Sequence, residues 1–173
     1  MFREDYFRSL QLPPAYAKLQ KISNPLYDRL TLTGPGKFTY FKGSQGRSRL
    51  FTNFDGQSQF DNPRGYIVMG LRALVDPAVT AADLAIIAQR AYFTFLIGDK
   101  PFLEIPLSIF LTKQDTIESQ GRHNEATFKL DHPILIPSQQ IFRPSIDIES
   151  PAALGAPTDL TLVFDGVLLR PAQ

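Results

Sequence analysis

The chain has 173 residues, of which 43% are apolar, and its 18 basic and 17 acidic side chains leave a formal net charge of +1. This length and apolar content suffice for one domain that buries roughly 70% of the surface of its unfolded chain, which excludes general disorder. The near-neutral charge disfavours a protein that coats nucleic acid, because such domains carry a strong basic excess. The absence of cysteine excludes disulfides, thiolate zinc sites and thiol nucleophiles.

Residues 1–25 are predicted to form an N-terminal arm, and residues 26–173 a single β-barrel domain. Four apolar side chains of the arm fall on one helical face before Pro13 and Pro14 stop the helix. They are the candidate subunit-contact residues Phe2, Tyr6, Phe7 and Leu10. Such a helix packs either on its own domain or on a neighbouring subunit. No apolar run follows the charged start of the chain, so a secretory signal is not predicted.

Short runs that alternate between apolar and polar residues follow the arm, with Pro and Gly between them. These runs begin near Leu26, Lys37, Gly65, Thr127, Phe142 and Leu160. Alternation with a period of two is typical of strands that bury one face. Together with residues 92–111, the runs indicate eight to ten strands and predict an all-β fold, a single eight-stranded jelly-roll barrel or sandwich.

One short internal helix is predicted at residues 81–90. Thr80 and Asp83 have the spacing of a capping box, which marks the start of a helix. Leu84, Ile87 and Ala88 then form an apolar stripe on one helical face.

Residues 92–111, YFTFLIGDKPFLEIPLSIFL, form the most apolar stretch, and its length could cross a bilayer as one helix. The side chains instead alternate with a period of two, since every odd-numbered residue from 103 to 111 is aliphatic. The stretch therefore predicts two strands around a turn and no membrane span. If the strands pair, a loop of three or five residues around residues 99–101 places Ile97 opposite Leu103, or Gly98 opposite Phe102. The alternative puts the two strands in different sheets. The residues expected to be buried are Leu103, Ile105, Leu107 and Ile109.

The sequence contains no catalytic or metal-binding motif. Its two histidines, His123 and His132, lie nine residues apart, a spacing that matches neither a helix pair nor a compact zinc motif. Two isolated histidines also cannot supply the His cluster of the metal-dependent jelly-roll enzymes called cupins. No enzyme activity, cofactor or metal is therefore expected.

The most basic loop spans residues 42–49, KGSQGRSR, and phenylalanines follow it. Cations beside aromatic rings can contact lipid headgroups or single-stranded nucleic acid, so Lys42, Arg47 and Arg49 are candidate residues for such a face. The same composition is also that of an ordinary solvated loop. The near-neutral net charge predicts no specific nucleic-acid binding.

A small β domain that is rich in Pro and Phe and lacks a catalytic site has the character of a coat protein. The chain is similar to a known family in its size and overall sequence. The similarity runs from FREDYFRSLQLPPAY through QQIFRPSIDI to DLTLVFDGVLLRP. Over its full length the chain resembles the small major capsid protein of icosahedral double-stranded DNA phages of thermophilic bacteria. These phages have a lipid membrane beneath the capsid.

The resemblance implies a single upright jelly roll with a structural role in the virion, assembled in the host cytoplasm. It also implies homodimeric building blocks, a second and larger capsid protein as partner, and a shell that rests on the internal viral membrane. It carries over no catalytic residues. The alternative function is a carbohydrate- or ligand-binding β-sandwich module, although sugars usually bind exposed Trp and Tyr side chains and the chain has no Trp.

Overall fold

The computed structural model describes residues 12–43, 46–113, 127–151 and 153–172. Within them the chain forms ten β-strands and two α-helices, with a turn of 3₁₀ helix at Leu107–Ile109. The strands are β1 (Gln20–Ser23), β2 (Leu26–Leu32), β3 (Gly36–Thr39), β4 (Gly65–Val75), β5 (Ala91–Ile97), β6 (Lys100–Pro106), β7 (Leu111–Lys113), β8 (Phe128–Ile136), β9 (Phe142–Ile148) and β10 (Thr158–Arg170). The helices are α1 (Pro14–Ala17) and α2 (Ala81–Arg90). This content confirms the predicted all-β class and the predicted internal helix.

The strands form two sheets. In the first sheet β2, β10, β4 and β8 lie side by side, with β1 beside the far end of β10 and β7 beside the end of β4. The order in the second sheet is β3-β9-β5-β6. The strand pairs are antiparallel except for β4 and β7, which are parallel. The buried core lies between the two sheets.

The ten strands of the described residues correct the predicted number of eight. β1 and β2 pair with successive halves of β10, and Asn24 and Pro25 separate them. Pro25 interrupts the edge because it has no N–H to donate to a ladder. β7 and β8 similarly pair with opposite ends of β4. Two edges of the first sheet are therefore each built from two strands.

Aromatic rings fill much of the interior. Phe41 is fully buried, and its ring centroid lies 5.2 Å from that of Phe164 and 5.9 Å from that of Phe142. Phe54 and Phe60 extend this cluster with centroids 5.2 Å apart. Burying a Phe side chain contributes about 1.5–3 kcal/mol of hydrophobic free energy, and favourable ring geometry adds to it. Many of the phenylalanines that make the sequence Phe-rich thus pack in the core of the sandwich.

Residues 92–111 form β5, β6 and the 3₁₀ turn, followed by the first residue of β7. The two longer strands pair with each other, with Phe93 opposite Ile105 and Phe95 opposite Leu103. The aromatic face of β5 therefore meets the aliphatic face of β6, as the alternation predicts. None of the helices in the described part of the chain is long and apolar enough to cross a membrane.

The predicted register of this hairpin is wrong. Ile97 pairs with Lys100, so the loop has only two residues, and Gly98 adopts a φ of 61° in it. Phe102 then forms a bulge, which shifts β6 by one residue. Without that bulge, the short loop would turn Leu103 to the other face of the sheet.

The predicted burial of the odd residues holds only in part. Leu107 is buried, and Leu103 and Ile105 are half-buried against the core because β6 is an edge strand. Ile109 is 51% exposed, so its predicted burial is wrong. It follows Pro106 in the 3₁₀ turn, where three residues complete a turn and parity no longer decides which side chain faces the core.

Residues 12–19 pack on the outer face of the first sheet, and residues 20–23 join its edge as β1. Tyr16 of α1 is 8% exposed and packs in a second apolar cluster with side chains of β4 and β10. Its hydroxyl accepts a hydrogen bond from the N–H of Ser138 at 2.7 Å. The second half of the predicted arm is therefore attached to the domain. The predicted contact residues Phe2, Tyr6, Phe7 and Leu10 lie outside the described residues.

The helix α2 begins at its predicted cap. The hydroxyl of Thr80 accepts a hydrogen bond from the N–H of Asp83 at 3.1 Å. The carboxylate of Asp83 is buried and accepts a hydrogen bond from the N–H of Gly155 at 2.7 Å. The acid at the helix start therefore also fixes the loop that leads into β10.

Candidate functional site: the groove beside the basic loop

The basic loop borders a groove of about 600 Å³ beside β2. The lining residues used below are Asp28, Arg29, Thr31, Lys42, Arg47, Phe51 and Asp159. Two of the predicted residues, Lys42 and Arg47, thus line the groove, whereas Arg49 is not part of its lining. A volume of this size lies in the range of small-molecule sites.

Arg47 is joined to a buried carboxylate. Its NH1 group donates to Asp28 Oδ1 at 2.8 Å, and its NH2 group donates to the carbonyl of Arg29. Asp28 is 1% exposed, and its Oδ2 accepts a hydrogen bond from the N–H of Phe41 at 2.6 Å. Burial raises the pKa of Asp28, while the Phe41 N–H and the Arg47 charge oppose that rise. Arg47 therefore holds the loop to β2 and is not a free cation.

Residues 48–53 cover the edge of β2. The N–H of Arg29 donates to the Phe51 carbonyl at 2.8 Å, and the hydroxyl of Tyr27 donates to the Arg49 carbonyl at 2.5 Å. Arg49 thus contributes its backbone to this cover, while its side chain is exposed. A bare strand edge can pair with a strand of another chain. The loop closes this edge of the first sheet.

The mouth of the groove combines a cation, an aromatic ring and hydroxyl groups. The guanidinium carbon of Arg29 lies 5.7 Å from the ring centroid of Phe51, and Lys42 is exposed. Asp159 accepts a hydrogen bond from the hydroxyl of Thr31 at 2.6 Å. These groups can hold a small polar ligand. The acids offset much of the positive charge that binding to nucleic acid or anionic lipid depends on.

Sequence reasoning missed Asp28 as the centre of this site, although a signal was present. Asp28 stands between Leu26 and Leu30, so the alternation of β2 turns its side chain toward the interior. An inward carboxylate requires hydrogen bonds and a charged partner. That requirement points to a nearby cation such as Arg47.

The two histidines of the sequence, His123 and His132, are not both within the described residues. His132 is exposed on β8, and His123 lies outside the described residues. Across residues 12–43, 46–113, 127–151 and 153–172, no group of three or more His, Cys, Asp or Glu side chains could hold a metal ion.

A scan against models of known protein families finds no match to this chain, and a search of curated proteins finds none either. Its function must therefore be argued from its own fold, surface and sequence.

Proposed function

We propose that this chain is a structural capsid protein that self-associates and, with a larger coat partner, tiles an icosahedral shell over an internal membrane. The observation that carries the proposal is the strand order. The strands β2, β10, β4 and β8 form one sheet, and β3, β9, β5 and β6 form the other. This interleaving supports a jelly roll, the eight-strand double sheet found in many viral capsid proteins, with β1 and β7 as additions at its edges.

The filled interior also supports a structural role. Ligand-binding barrels use the space between their sheets, whereas Phe93, Phe95, Tyr40 and Tyr66 are fully buried there. Burial raises the pKa of both tyrosines well above the ordinary value, which keeps their hydroxyls neutral. The hydroxyl of Tyr66 donates to the carbonyl of Phe164 at 2.8 Å. These polar groups therefore stabilise the core and are not exposed to a ligand.

A carbohydrate-binding module is the rival function, and it has weaker support. Sugar platforms need exposed aromatic rings, and of the described tyrosines only Tyr92 is exposed, at 38%. The Asp147 carboxylate beside it raises the pKa of Tyr92. Phe51 and Phe102 are exposed as well, but a single exposed Tyr among the described residues of a chain without Trp offers little of the surface on which sugars usually stack.

Two sheet edges are poorly suited to pairing with another chain. The edge strand β6 carries Lys100, Pro101, Glu104 and Pro106, and charges and prolines are the usual means of blocking edge pairing. Residues 48–53 cover the edge of β2 at Tyr27–Arg29. Subunit contacts are therefore expected away from these two edges, through the arm, the loops, the sheet faces or the edges at β3 and β8.

Deletion of residues 1–11 tests the arm as a subunit contact. This deletion removes the apolar stripe but keeps Leu12 and Tyr16, which pack on the first sheet. We expect the dimer mass in multi-angle light scattering to fall to the monomer mass. The matched control replaces Arg3 and Arg8 by Ser, which leaves the stripe intact and should keep the dimer. An unchanged mass after deletion contradicts the role of the arm.

Electron microscopy of the purified chain mixed with a candidate larger coat protein tests the function itself. Ordered lattices or rings that neither protein forms alone are the expected result. Thermal unfolding in the presence of a panel of glycans is the companion measurement. Dispersed particles in the mixture, together with stabilisation by a glycan, contradict the capsid function and favour the carbohydrate-binding module.

A further inference from the structure

Two arginines follow the end of the β4–β10 ladder. Gly65 and Leu169 form the last pair of this antiparallel ladder, and Arg64 and Arg170 are the next residues of the two segments. Residues directly opposite each other in such a pair have Cβ atoms roughly 4.5–5.5 Å apart, and like charges at these positions are destabilising. Arg64 and Arg170 therefore lie near each other at one end of the first sheet, where they line the same pocket.

Arg170 also carries an unsatisfied hydrogen-bond donor. Its Nε atom is buried and has no hydrogen-bond partner. In the part of the chain that the structure describes, neither Arg64 nor Arg170 forms an ion pair with an acid. Buried polar groups are rarely left unpaired, because the lost hydration is then not compensated. Among the described residues, the Nε–H of Arg170 thus has no acceptor.

Both arginines open onto one pocket. Its volume is about 330 Å³, and it is lined by the two segments that leave the ladder, residues 61–64 and 170–172. A guanidinium group offers paired donors that match the oxygens of a carboxylate or a phosphate. We propose that this pocket binds an oxyanion group, a phosphate or a carboxylate, carried by a small molecule.

A bound oxyanion supplies the counter-charge that the two arginines lack among the described residues. Its oxygens can accept hydrogen bonds from the terminal N–H groups of Arg64 and Arg170, and its charge offsets the repulsion between them. Asp61 lines the same pocket and disfavours a second negative group on the ligand. The groove beside the basic loop is a weaker anion site, because Arg47 is already neutralised by Asp28. The inference is independent of the proposed capsid function.

Thermal unfolding in inorganic phosphate, in acetate and in sodium chloride at equal ionic strength tests the proposal. Binding should raise Tm along a saturable curve, by about 3–6 °C at ten times Kd. The larger of the phosphate and acetate effects identifies the preferred oxyanion. Arg64→Gln and Arg170→Gln should lose the rise. Arg143→Gln, which changes an exposed arginine of the second sheet, should keep it.

Arg170→Gln alters a strand residue and is the harsher change, so Arg64→Gln is the decisive variant. In anion-free buffer of low ionic strength, its Tm should equal or exceed that of the wild type, because one of two like charges is gone. Three results would overturn the proposal: an equal rise in sodium chloride, a rise retained by both variants, or a lower Tm of Arg64→Gln in anion-free buffer.

Discussion

Replacing Arg47 by Met removes the cation that neutralises the buried carboxylate of Asp28. The substitution keeps an unbranched apolar stem and deletes only the charged, hydrogen-bonding end of the side chain. Asp28 then retains the Phe41 N–H and the Thr52 hydroxyl as partners. A buried charge that has lost its counter-charge destabilises the folded state, because neither water nor protein compensates it fully.

The size of the effect follows from the burial of the two side chains. Removing one partner of a fully buried ion pair costs about 3–5 kcal/mol. Asp28 meets that condition at 1% exposed, but the side chain of Arg47 is 32% exposed, so solvent screens part of the attraction. The expected loss of unfolding free energy is therefore about 2 kcal/mol. In a chain of this length it lowers Tm by roughly 4–8 °C.

The loss should also depend on pH. Burial holds the folded-state pKa of Asp28 above its ordinary value of 3.8, and removing the Arg47 charge raises it further. For such a raised pKa, the stability linked to Asp28 is fully present below the unfolded pKa and is lost as pH rises through the folded pKa. Over this pH range the Arg47→Met variant loses more unfolding free energy than the wild type does. The difference between the two proteins should therefore grow as pH rises above 3.8.

Urea unfolding at neutral pH and at about pH 4 measures this difference. Arg143→Met is the matched control, because the pair of Arg143 with Asp99 is long, at 3.7 Å, and lies on the surface. The control should leave stability unchanged at both pH values. A loss of stability for Arg47→Met that is the same at both pH values, or no larger than that of the control, refutes the interpretation of Arg47 and Asp28 as a buried charge pair.

Two further substitutions test contacts inside the first sheet. Tyr66→Phe removes the hydroxyl that donates to the Phe164 carbonyl at 2.8 Å, so urea unfolding should report a loss of about 1–2 kcal/mol. Wild-type stability would show that this hydrogen bond contributes nothing. Gly166→Ala places a Cβ atom 2.0 Å from the Ile67 carbonyl oxygen, opposite the bulge at Met69 of β4, and should cost about 3 kcal/mol. Gly155→Ala, whose nearest contact is 3.5 Å, should be nearly neutral, and equal Tm values for the two variants would rule out the steric explanation.

The elements of the fold could be predicted because their signals are local. Strand alternation and the cap at Thr80 depend on residues within one or two turns of chain, which the sequence displays directly. The same local period distinguished two strands from a membrane helix in residues 92–111. The number of strands was less accessible, because residues 20–23 were assigned to the arm, whereas the fold pairs them with β10 as a short strand before Pro25.

The register of the β5–β6 hairpin shows where local patterns stop being sufficient. The aromatic face of β5 can meet the aliphatic face of β6 in two ways. One is a longer loop without a bulge, and the other is a two-residue loop with a bulge at Phe102. Alternation alone cannot distinguish the two solutions. The predicted burial of Ile109 was wrong for a related reason. The chain passes from strand to 3₁₀ turn after Pro106, and the period of two ends there.

The charged sites depend still more on tertiary structure. The sequence by itself determined that residues 42–49 are basic and that Asp28 lies on the inward face of β2. Only the fold brought Arg47 to Asp28 across 19 residues, and Arg64 to the same pocket as Arg170 from the far end of the chain. Periodicity is set by the geometry of neighbouring residues. Charge pairing depends instead on distances between segments, and these distances exist only once the strands have paired.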